Sequence, residues 1–245
     1  MKSRNSFVFK FFIFTIIFAL ILLCIIYFFP SKENEDDMET SAEPTQKYTT
    51  VVLDAGHGGE DGGTQTASGT LEKTLNLKIA ELVKNELENM GVKVVMTRTE
   101  DKLLYDTSIN YKGQKKKLDA AARIKISEET PNSVFVSIHM NSYVDPKYSG
   151  LQVWYTAQNP DSQPLAETIQ DRNNTLFQKN NTRQIKPVGE NIYLLNRIKS
   201  PAVLIECGFL SNPREAQSLC DSGYQIALSK NIAESIAEYV KNAQS

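Results

Sequence analysis

The sequence predicts an α/β fold: a single domain with a mostly parallel, twisted sheet flanked by helices, preceded by an N-terminal transmembrane helix. Three observations predict it. Short β-branched runs alternate with longer segments whose apolar residues recur at helical spacing. One long apolar run stands near the N-terminus, and an acidic stretch separates it from the alternating region. Strands that alternate with helices are typical of a domain built around a parallel sheet.

Residues 1–30 are predicted to form the transmembrane anchor. Residues 11–29 are a run of 19 in which Thr15 is the only clearly polar member, and at about 1.5 Å per residue they nearly span a hydrocarbon core of roughly 30 Å. Basic residues precede the run and acidic residues follow it, so the rest of the chain is expected to be exported. A cleaved signal peptide is the alternative, although its apolar region is normally about 7 to 15 residues long and ends in small residues.

Residues 31–47 are predicted to be a flexible linker, which leaves residues 48–245 for the folded domain. The linker carries six acidic residues against two lysines and has no aromatic residue. Such a segment has too little apolar surface to stabilise a fold.

Within residues 48–245, hydrophobic periodicity predicts five strands and five helices. The strands are expected at 49–53, 92–97, 133–138, 151–156 and 202–205. The helices are expected at 71–90, 117–129, 163–179, 213–219 and 224–242. Thr70 is the predicted N-cap of the first helix, and Gly91 is the predicted residue after its C-cap.

The composition excludes several classes of function. The chain has 27 Lys and Arg against 29 Asp and Glu, a net charge of −2, so the strong positive field of a nucleic-acid-binding protein is missing. With 3 Cys and 2 His, the chain is neither a disulfide scaffold nor a multi-cysteine zinc finger. Chemistry that needs an imidazole must therefore use His57 or His139.

Four reactive residues follow predicted strands or open a helix. His57 follows the first strand, Glu72 opens the first long helix, and His139 and Glu206 close later strands. Because the carboxyl ends of parallel strands meet at one edge of a sheet, these four are expected to converge. Two imidazoles and a carboxylate suit a zinc site with one open position, and a second carboxylate could be its general base. Spacing alone leaves open a structural role for each histidine and a helix-dipole role for Glu72.

Four blocks of sequence surround these residues. They are VVLDAGHGGEDGG at 51–63, SGTLEKTLNL at 68–77, SIHMNS at 137–142 and PAVLIECGFLSN at 201–212. Together they resemble the zinc-dependent N-acetylmuramoyl-L-alanine amidases of the bacterial cell wall. The resemblance implies Zn²⁺ on His57, Glu72 and His139, with Glu206 as the catalytic acid/base. It also implies that Asn141 and Arg123 bind substrate.

The activity that the resemblance implies is hydrolysis of the amide between N-acetylmuramic acid and L-alanine in peptidoglycan. The glycines of the first block are expected to let a wide substrate approach the backbone beside His57. Two alternative functions are a metal-binding pseudoenzyme that recruits or regulates wall hydrolases, and a peptidase that cuts within the stem peptide. Glu206 argues against the pseudoenzyme, because a binding module does not need an acid/base beside an open metal position.

The size of the domain indicates a subtype. Glu206 follows His139 by only 67 positions, which leaves no room for an inserted helix that covers the metal. No wall-binding repeat is recognisable in the sequence. The chain is therefore most similar to the membrane-anchored spore-cortex, or germination-specific, amidases. This similarity implies peptidoglycan as substrate, muramic δ-lactam formation after cleavage, and an accessory activating lipoprotein as partner. It places the domain on the extracytoplasmic side, in the space between forespore and mother-cell membranes.

Cys207 follows Glu206 directly. If the strand continues, alternation directs the Cys207 side chain to the opposite face, so a small buried apolar role is predicted. A disulfide with Cys220 and an adventitious metal contact are the alternatives. The run Lys115 to Lys117 is predicted to be a solvated helix start.

Overall fold

A six-stranded sheet organises residues 47–106, 108 and 113–243, which are the residues that the computed structural model describes. In chain order the strands are β1 (Thr50–Ala55), β2 (Lys93–Met96), β3 (Ser133–Asn141), β4 (Gln152–Tyr155), β5 (Lys186–Pro187) and β6 (Ala202–Phe209). Across the sheet their order is β2-β1-β3-β6-β4-β5. The predicted α/β domain with a mostly parallel sheet is confirmed, since β1 pairs in parallel with β2 and β3, and β3 with β6.

The pairing of β4 with β6 departs from the parallel arrangement. This pair is antiparallel, whereas β4 and the two-residue β5 run parallel. The connection from β3 to β4 contains no helix, and without a crossover helix the chain reverses direction before it rejoins the sheet. Sequence periodicity does not report the direction of a strand.

Five α-helices flank the sheet in the described part of the chain: α1 (Glu72–Asn89), α2 (Lys115–Glu128), α3 (Ser162–Arg172), α4 (Pro213–Cys220) and α5 (Ser222–Asn242). The predicted helix at 163–179 comprises α3 and a π-helical turn, Asn173–Phe177. A 3-10 turn, Leu195–Arg197, precedes β6. Within the described residues, no helix combines the length and the apolar character needed to cross a membrane. The predicted anchor and all of the linker but Lys47 lie outside the described residues, and both stay predictions.

Side-chain alternation gives the two faces of the sheet different partners. On one face, the large-core face, α1, α3 and α5 bury residues such as Val136 and Ile205. On the other face, the α2 face, a smaller cluster contains Phe135 and Leu204. Because alternate residues of a strand point to opposite faces, His139 and Glu206 lie on the α2 face. The hydrophobic cluster on that face is the smaller of the two.

The two ends of α1 differ in how well they were predicted. Gly91 has φ +79° and follows the C-cap residue Met90, as predicted. The N-cap is Leu71 rather than Thr70, and no side chain caps this end. Instead, the backbone N–H groups of Glu72 and Lys73 donate to the carbonyl oxygens of Thr64 and Gly62, at 2.8 and 3.2 Å. The glycine-rich loop folds over the helix start and satisfies donors that a cap would otherwise satisfy.

Candidate active site

Two histidines and a glutamate meet at the carboxyl edge of the sheet. His57 follows β1, His139 lies near the end of β3, and Glu72 is in the first turn of α1. One ligand atom from each of the three lies within 4.8 Å of the others. The Oε1 atom of Glu72 is 3.2 Å from Nε2 of His57 and 2.9 Å from Nδ1 of His139. This trio has the donor chemistry and the spacing to hold one metal ion.

The Glu72 carboxylate is fixed by the protein around it. Its Oε1 atom accepts hydrogen bonds from the Met140 backbone N–H at 3.0 Å and from Nδ2 of Asn76 at 3.3 Å, and Oε2 accepts from the Thr64 N–H at 2.9 Å. Burial alone would raise the pKa of Glu72, but hydrogen bonds with His139 and His57 outweigh it and hold the pKa of that carboxyl well below its usual range. The group is therefore ionised, as a metal ligand must be.

His57 is oriented by a second carboxylate. Its Nδ1 atom is 2.8 Å from Oδ2 of Asp61, which leaves Nε2 directed at Glu72. Burial by itself would lower the pKa of His57, but the carboxylates of Glu72 and Asp61 outweigh it and raise that pKa. A carboxylate on the far ring nitrogen is the usual support of a metal-binding histidine, because it fixes the tautomer and the ring orientation.

Two glycines of the first block allow the ligands to approach one another. A Cβ atom on Gly56 would lie 2.1 Å from Nε2 of His139, and one on Gly63 would lie 2.4 Å from Oε2 of Glu72. Gly63 also has φ +68°, a conformation that favours glycine. The predicted role of these glycines was access for substrate. The structure gives them a further role, since any side chain there would occupy the space of His139 or Glu72.

Glu206 stands beside this cluster. It pairs with His139 across β3 and β6 and therefore faces the same side of the sheet. Its Oε2 atom is buried and has no hydrogen-bond partner among the described residues. Burial raises the pKa of Glu206 to about 7, against the attraction of His139. An unpartnered carboxyl oxygen in this position is free to exchange a proton with a reacting molecule.

The family model described as N-acetylmuramoyl-L-alanine amidase matches residues 51–238. This match includes all of the residues just described. The chain belongs to the N-acetylmuramoyl-L-alanine amidase family. Membership identifies it as an enzyme, an amidase of the cell-wall class, in agreement with the resemblance of its four sequence blocks.

Named relatives agree with this assignment. The chain is 35% identical over 191 residues to the germination-specific N-acetylmuramoyl-L-alanine amidase of Bacillus subtilis, with coverage of 77% of this chain and 78% of the relative. Its fold matches the CwlD amidase of Clostridioides difficile, solved in complex with the GerS lipoprotein, with a TM-score of 0.74, 37% identity and coverage of 79% and 98%. An N-acetylmuramoyl-L-alanine amidase of Clostridium difficile 630 matches with a TM-score of 0.68, 31% identity and coverage of 80% and 98%.

A buried ion pair supports the loop that carries His57 in this amidase. Arg123 donates to Asp54, a fully buried residue of β1 that also accepts from Thr97 Oγ1 and Ser137 Oγ, each at 2.6 Å. Burial alone would raise the pKa of Asp54, but the charge of Arg123 and the two hydroxyl donors outweigh it and lower that pKa. Sequence reasoning missed Asp54, although an acidic residue inside an otherwise apolar strand just before His57 was a visible signal.

Two arginines hold the same loop through its backbone. Arg123 donates to the carbonyl oxygens of Ala55 and His57 at 2.9 and 2.8 Å. Arg98 donates to those of Ala55 and Gly56 at 2.8 and 3.0 Å. Arg123 was predicted to bind substrate, and that contact stays a prediction. In the described structure its side chain is 3% exposed, and its guanidinium holds the loop that carries His57.

Replacing Asp54 by Asn is expected to destabilise the amidase domain by roughly 3 kcal/mol, because it leaves the buried Arg123 cation short of a partner. The folded pKa of Asp54 is lowered, so its stabilising contribution is complete above the unfolded value of about 3.9 and is lost as the pH falls through the folded value. Urea unfolding of residues 48–245 at neutral and acidic pH measures both effects. Asp171→Asn, at an exposed position of α3, is the matched control. Equal stability of the two variants at neutral pH would contradict the structural role of Asp54.

The remaining predicted residues lie near the ends of the same strands. Asn141 ends β3, two residues beyond His139, and its side-chain oxygen accepts from the Ser142 N–H at 2.7 Å. Its contact with substrate stays a prediction. Cys207 is buried in the large-core cluster, as predicted, while Cys220 is exposed, and both thiols are free. Helix α2 begins at Lys115, the first residue of the lysine run that was predicted to be a solvated helix start.

Proposed function

We propose that this amidase uses one Zn²⁺ ion to remove stem peptides from spore-cortex peptidoglycan, which allows muramic δ-lactam to form. The observation that carries the proposal is the cluster of His57, Glu72 and His139 with the unpartnered carboxyl of Glu206 beside it. The B. subtilis relative, whose name is germination-specific, supports the cortex as the site of action.

The residues present fit zinc. Two imidazole nitrogens and one carboxylate oxygen are a ligand set of catalytic zinc sites, in which a fourth position stays open. The Asp61 carboxylate contacts the second ring nitrogen of His57, and a carboxylate in that position commonly orients a metal-binding histidine. When bound, the ion polarises the scissile carbonyl group and makes the attacking water molecule more acidic.

The chain's own residues then carry the proton. The Glu206 carboxylate accepts a proton from the attacking water and passes it to the departing amine of L-alanine. A pKa near neutrality suits both halves of this transfer, since the group must take up a proton and then release it. Asp61 orients the His57 ring and the Met140 backbone N–H holds Glu72, so both ligands are fixed before substrate arrives.

Mass spectrometry of digested cortex peptidoglycan tests this proposal. We expect release of intact stem peptides that carry a free L-alanine amine. Shorter peptide fragments would instead indicate a peptidase that cuts within the stem. Absence of any product with zinc-loaded protein would indicate a metal-binding pseudoenzyme.

We also propose that residues 11–29 hold the enzyme at the membrane, with the catalytic domain on the extracytoplasmic side in the space between the forespore and mother-cell membranes. The support is the length of the apolar run and the basic residues that precede it. The intact chain is expected to sediment with membranes, keep its N-terminal sequence, and expose its domain to protease added from the external side. Recovery of a soluble form that lacks about the first 30 residues, and of no other form, would contradict the anchor and favour a cleaved signal peptide.

An accessory lipoprotein is the partner that we propose for this enzyme. The support is the similar CwlD amidase, whose structure was solved in complex with the GerS lipoprotein. Affinity purification of the tagged amidase from sporulating cells is expected to recover a lipid-modified protein. Recovery of the amidase without one would contradict this part of the proposal.

A further inference from the structure

A wide cleft opens between the loop after β3, the segment after α3 and the start of α4. Its volume is about 1060 Å³. The charged residues that line it are four cations, Lys147, Lys179, Arg183 and Arg214, and one carboxylate, Glu215. We call it the basic cleft. These residues come from three distant parts of the sequence, so only the fold brings their charges together.

The basic cleft has one carboxylate against four cations, and the charge of that carboxylate attracts Arg183. Glu215 is partly buried, and its oxygens accept hydrogen bonds from the backbone N–H groups of Gly150 and Phe209, both at 2.7 Å. In the described part of the chain, Lys147 is the one cation of the four with a carboxylate within ion-pair distance, Asp145 at 2.8 Å. The basic cleft thus keeps an excess of positive charge that is available to a ligand.

Arg183 has a guanidinium whose position is fixed by its neighbours. Its guanidinium lies 4.5 Å from the ring centre of Phe209. Its Nε atom donates to the Ser149 carbonyl oxygen at 2.7 Å, and Nη1 donates to Oε1 of Gln152 at 3.0 Å. Nη2 makes no hydrogen bond to any described residue. A fixed guanidinium with a free donor suits recognition of a carboxylate.

Arg214 has a position that helix stability does not explain. It lies in the first turn of α4, directly after Pro213, where the positive end of the helix dipole disfavours a cation. Its side chain is exposed and lines the basic cleft. Its charge is therefore accessible to a ligand in the basic cleft.

The basic cleft lies near the active site, because Arg183 contacts a residue of the strand that carries Glu206. Phe209, which stacks on Arg183, lies three residues after Glu206 on β6, a distance of about 10 Å along a strand. Phe209 also pairs with Asn141 at the end of β3. An extended peptide advances about 3.3 to 3.6 Å per residue. A peptide whose first amide is at Glu206 is therefore long enough to reach Phe209 and Arg183 within about three residues.

We propose that the basic cleft binds the carboxylates of the stem peptide and makes the enzyme selective for acidic peptides. The proposal rests on the proposed function, which places the amide of a peptide at Glu206. Stem peptides carry free carboxylates beyond their first residue, so their charge is complementary to that of the basic cleft. The contact forms outside the reacting centre and is expected to affect substrate binding rather than turnover.

The test compares two double variants of the full chain, purified in detergent. Lys179→Gln/Arg214→Gln removes two exposed cations of the basic cleft that have no ion-pair partner among the described residues. Lys93→Gln/Lys241→Gln removes two exposed cations elsewhere: Lys93 begins β2, at the opposite edge of the sheet, and Lys241 lies in the last turn of α5. Each protein is assayed on a muramoyl peptide with free carboxylates and on the same peptide with its carboxylates amidated.

For the cleft variant we expect KM on the acidic substrate to rise about fivefold, with kcat within about twofold of the unmodified enzyme. The amidated substrate is expected to show no difference between the variants, and the control variant is expected to behave as the unmodified enzyme. Added salt should raise KM of the unmodified enzyme more than that of the cleft variant, because screening removes the same attraction. An unchanged KM in the cleft variant would overturn the proposal.

Calorimetric titration with the free acidic stem peptide separates this proposal from the proposed function, since binding needs no catalysis. If the unmodified enzyme cleaves neither substrate but binds the free peptide more tightly than the cleft variant does, the proposed function fails and the basic cleft is supported. If cleavage occurs and the two proteins bind the free peptide equally, the basic cleft proposal fails alone.

Discussion

Glu206→Gln is expected to keep its zinc and to lose amidase turnover by about 10² to 10⁴, the usual contribution of a positioned acid/base. Glutamine keeps the size of the side chain but cannot accept the proton of the attacking water. The fold should persist, because Oε2 of Glu206 has no hydrogen-bond partner to lose among the described residues. Turnover on a soluble muropeptide and zinc content by elemental analysis measure the two effects separately.

Glu167→Gln is the matched control, because it makes the same change at an exposed position of α3. It is expected to leave both zinc and turnover unchanged. Turnover of Glu206→Gln near that of the unmodified enzyme would mean that another group moves the proton. Loss of zinc from Glu206→Gln would make Glu206 a fourth ligand and would contradict an open metal position.

The second large effect is expected at the metal ligands. Purified residues 48–245 should bind about one zinc ion, and His57→Ala, Glu72→Ala and His139→Ala should each weaken that binding severely, since every one removes a third of the protein ligand set. Asp61→Asn should have an intermediate effect, about 10- to 100-fold in affinity, because Asp61 contacts His57 and is not one of the three proposed ligands. Competition with a chromophoric chelator measures these affinities.

Two further variants keep this result interpretable. Glu72→Ala also leaves the backbone N–H groups of Met140 and Thr64 without an acceptor, so Glu72→Gln, which retains an acceptor, distinguishes a lost ligand from a damaged fold. Cys220→Ser controls for zinc bound by an exposed thiol and is expected to bind normally. Full zinc content in all three ligand variants would refute the assignment.

Much of the fold was predictable because it depends on local pattern. The β-branched runs and the helical spacing located five of the six strands and all five helices of the described residues to within a few positions, apart from the turn that extends α3. The rule that parallel strands present their carboxyl ends at one edge predicted that His57, His139 and Glu206 would converge. Glycine after α1 could be predicted because a left-handed residue there requires it.

The features that could not be predicted depend on contacts between distant segments. The direction of β4 is set by how the loop after β3 turns, which leaves no periodic signal. The start of α1 is satisfied by carbonyl groups of a loop, so the side-chain rule for Thr70 did not apply. The salt bridge between Asp54 and Arg123 could not be predicted either, because its partners are 69 positions apart in the sequence.

The alternation of β6 has a consequence for how this enzyme can change over evolution. Val203, Ile205 and Cys207 pack in the large core, while the intervening Leu204 and Glu206 face the other side of the sheet. Glu206 is thus the only one of these five residues that lies outside a hydrophobic cluster. Adaptation of the domain to a hotter or colder habitat can therefore use substitutions at the three large-core positions without replacing Glu206.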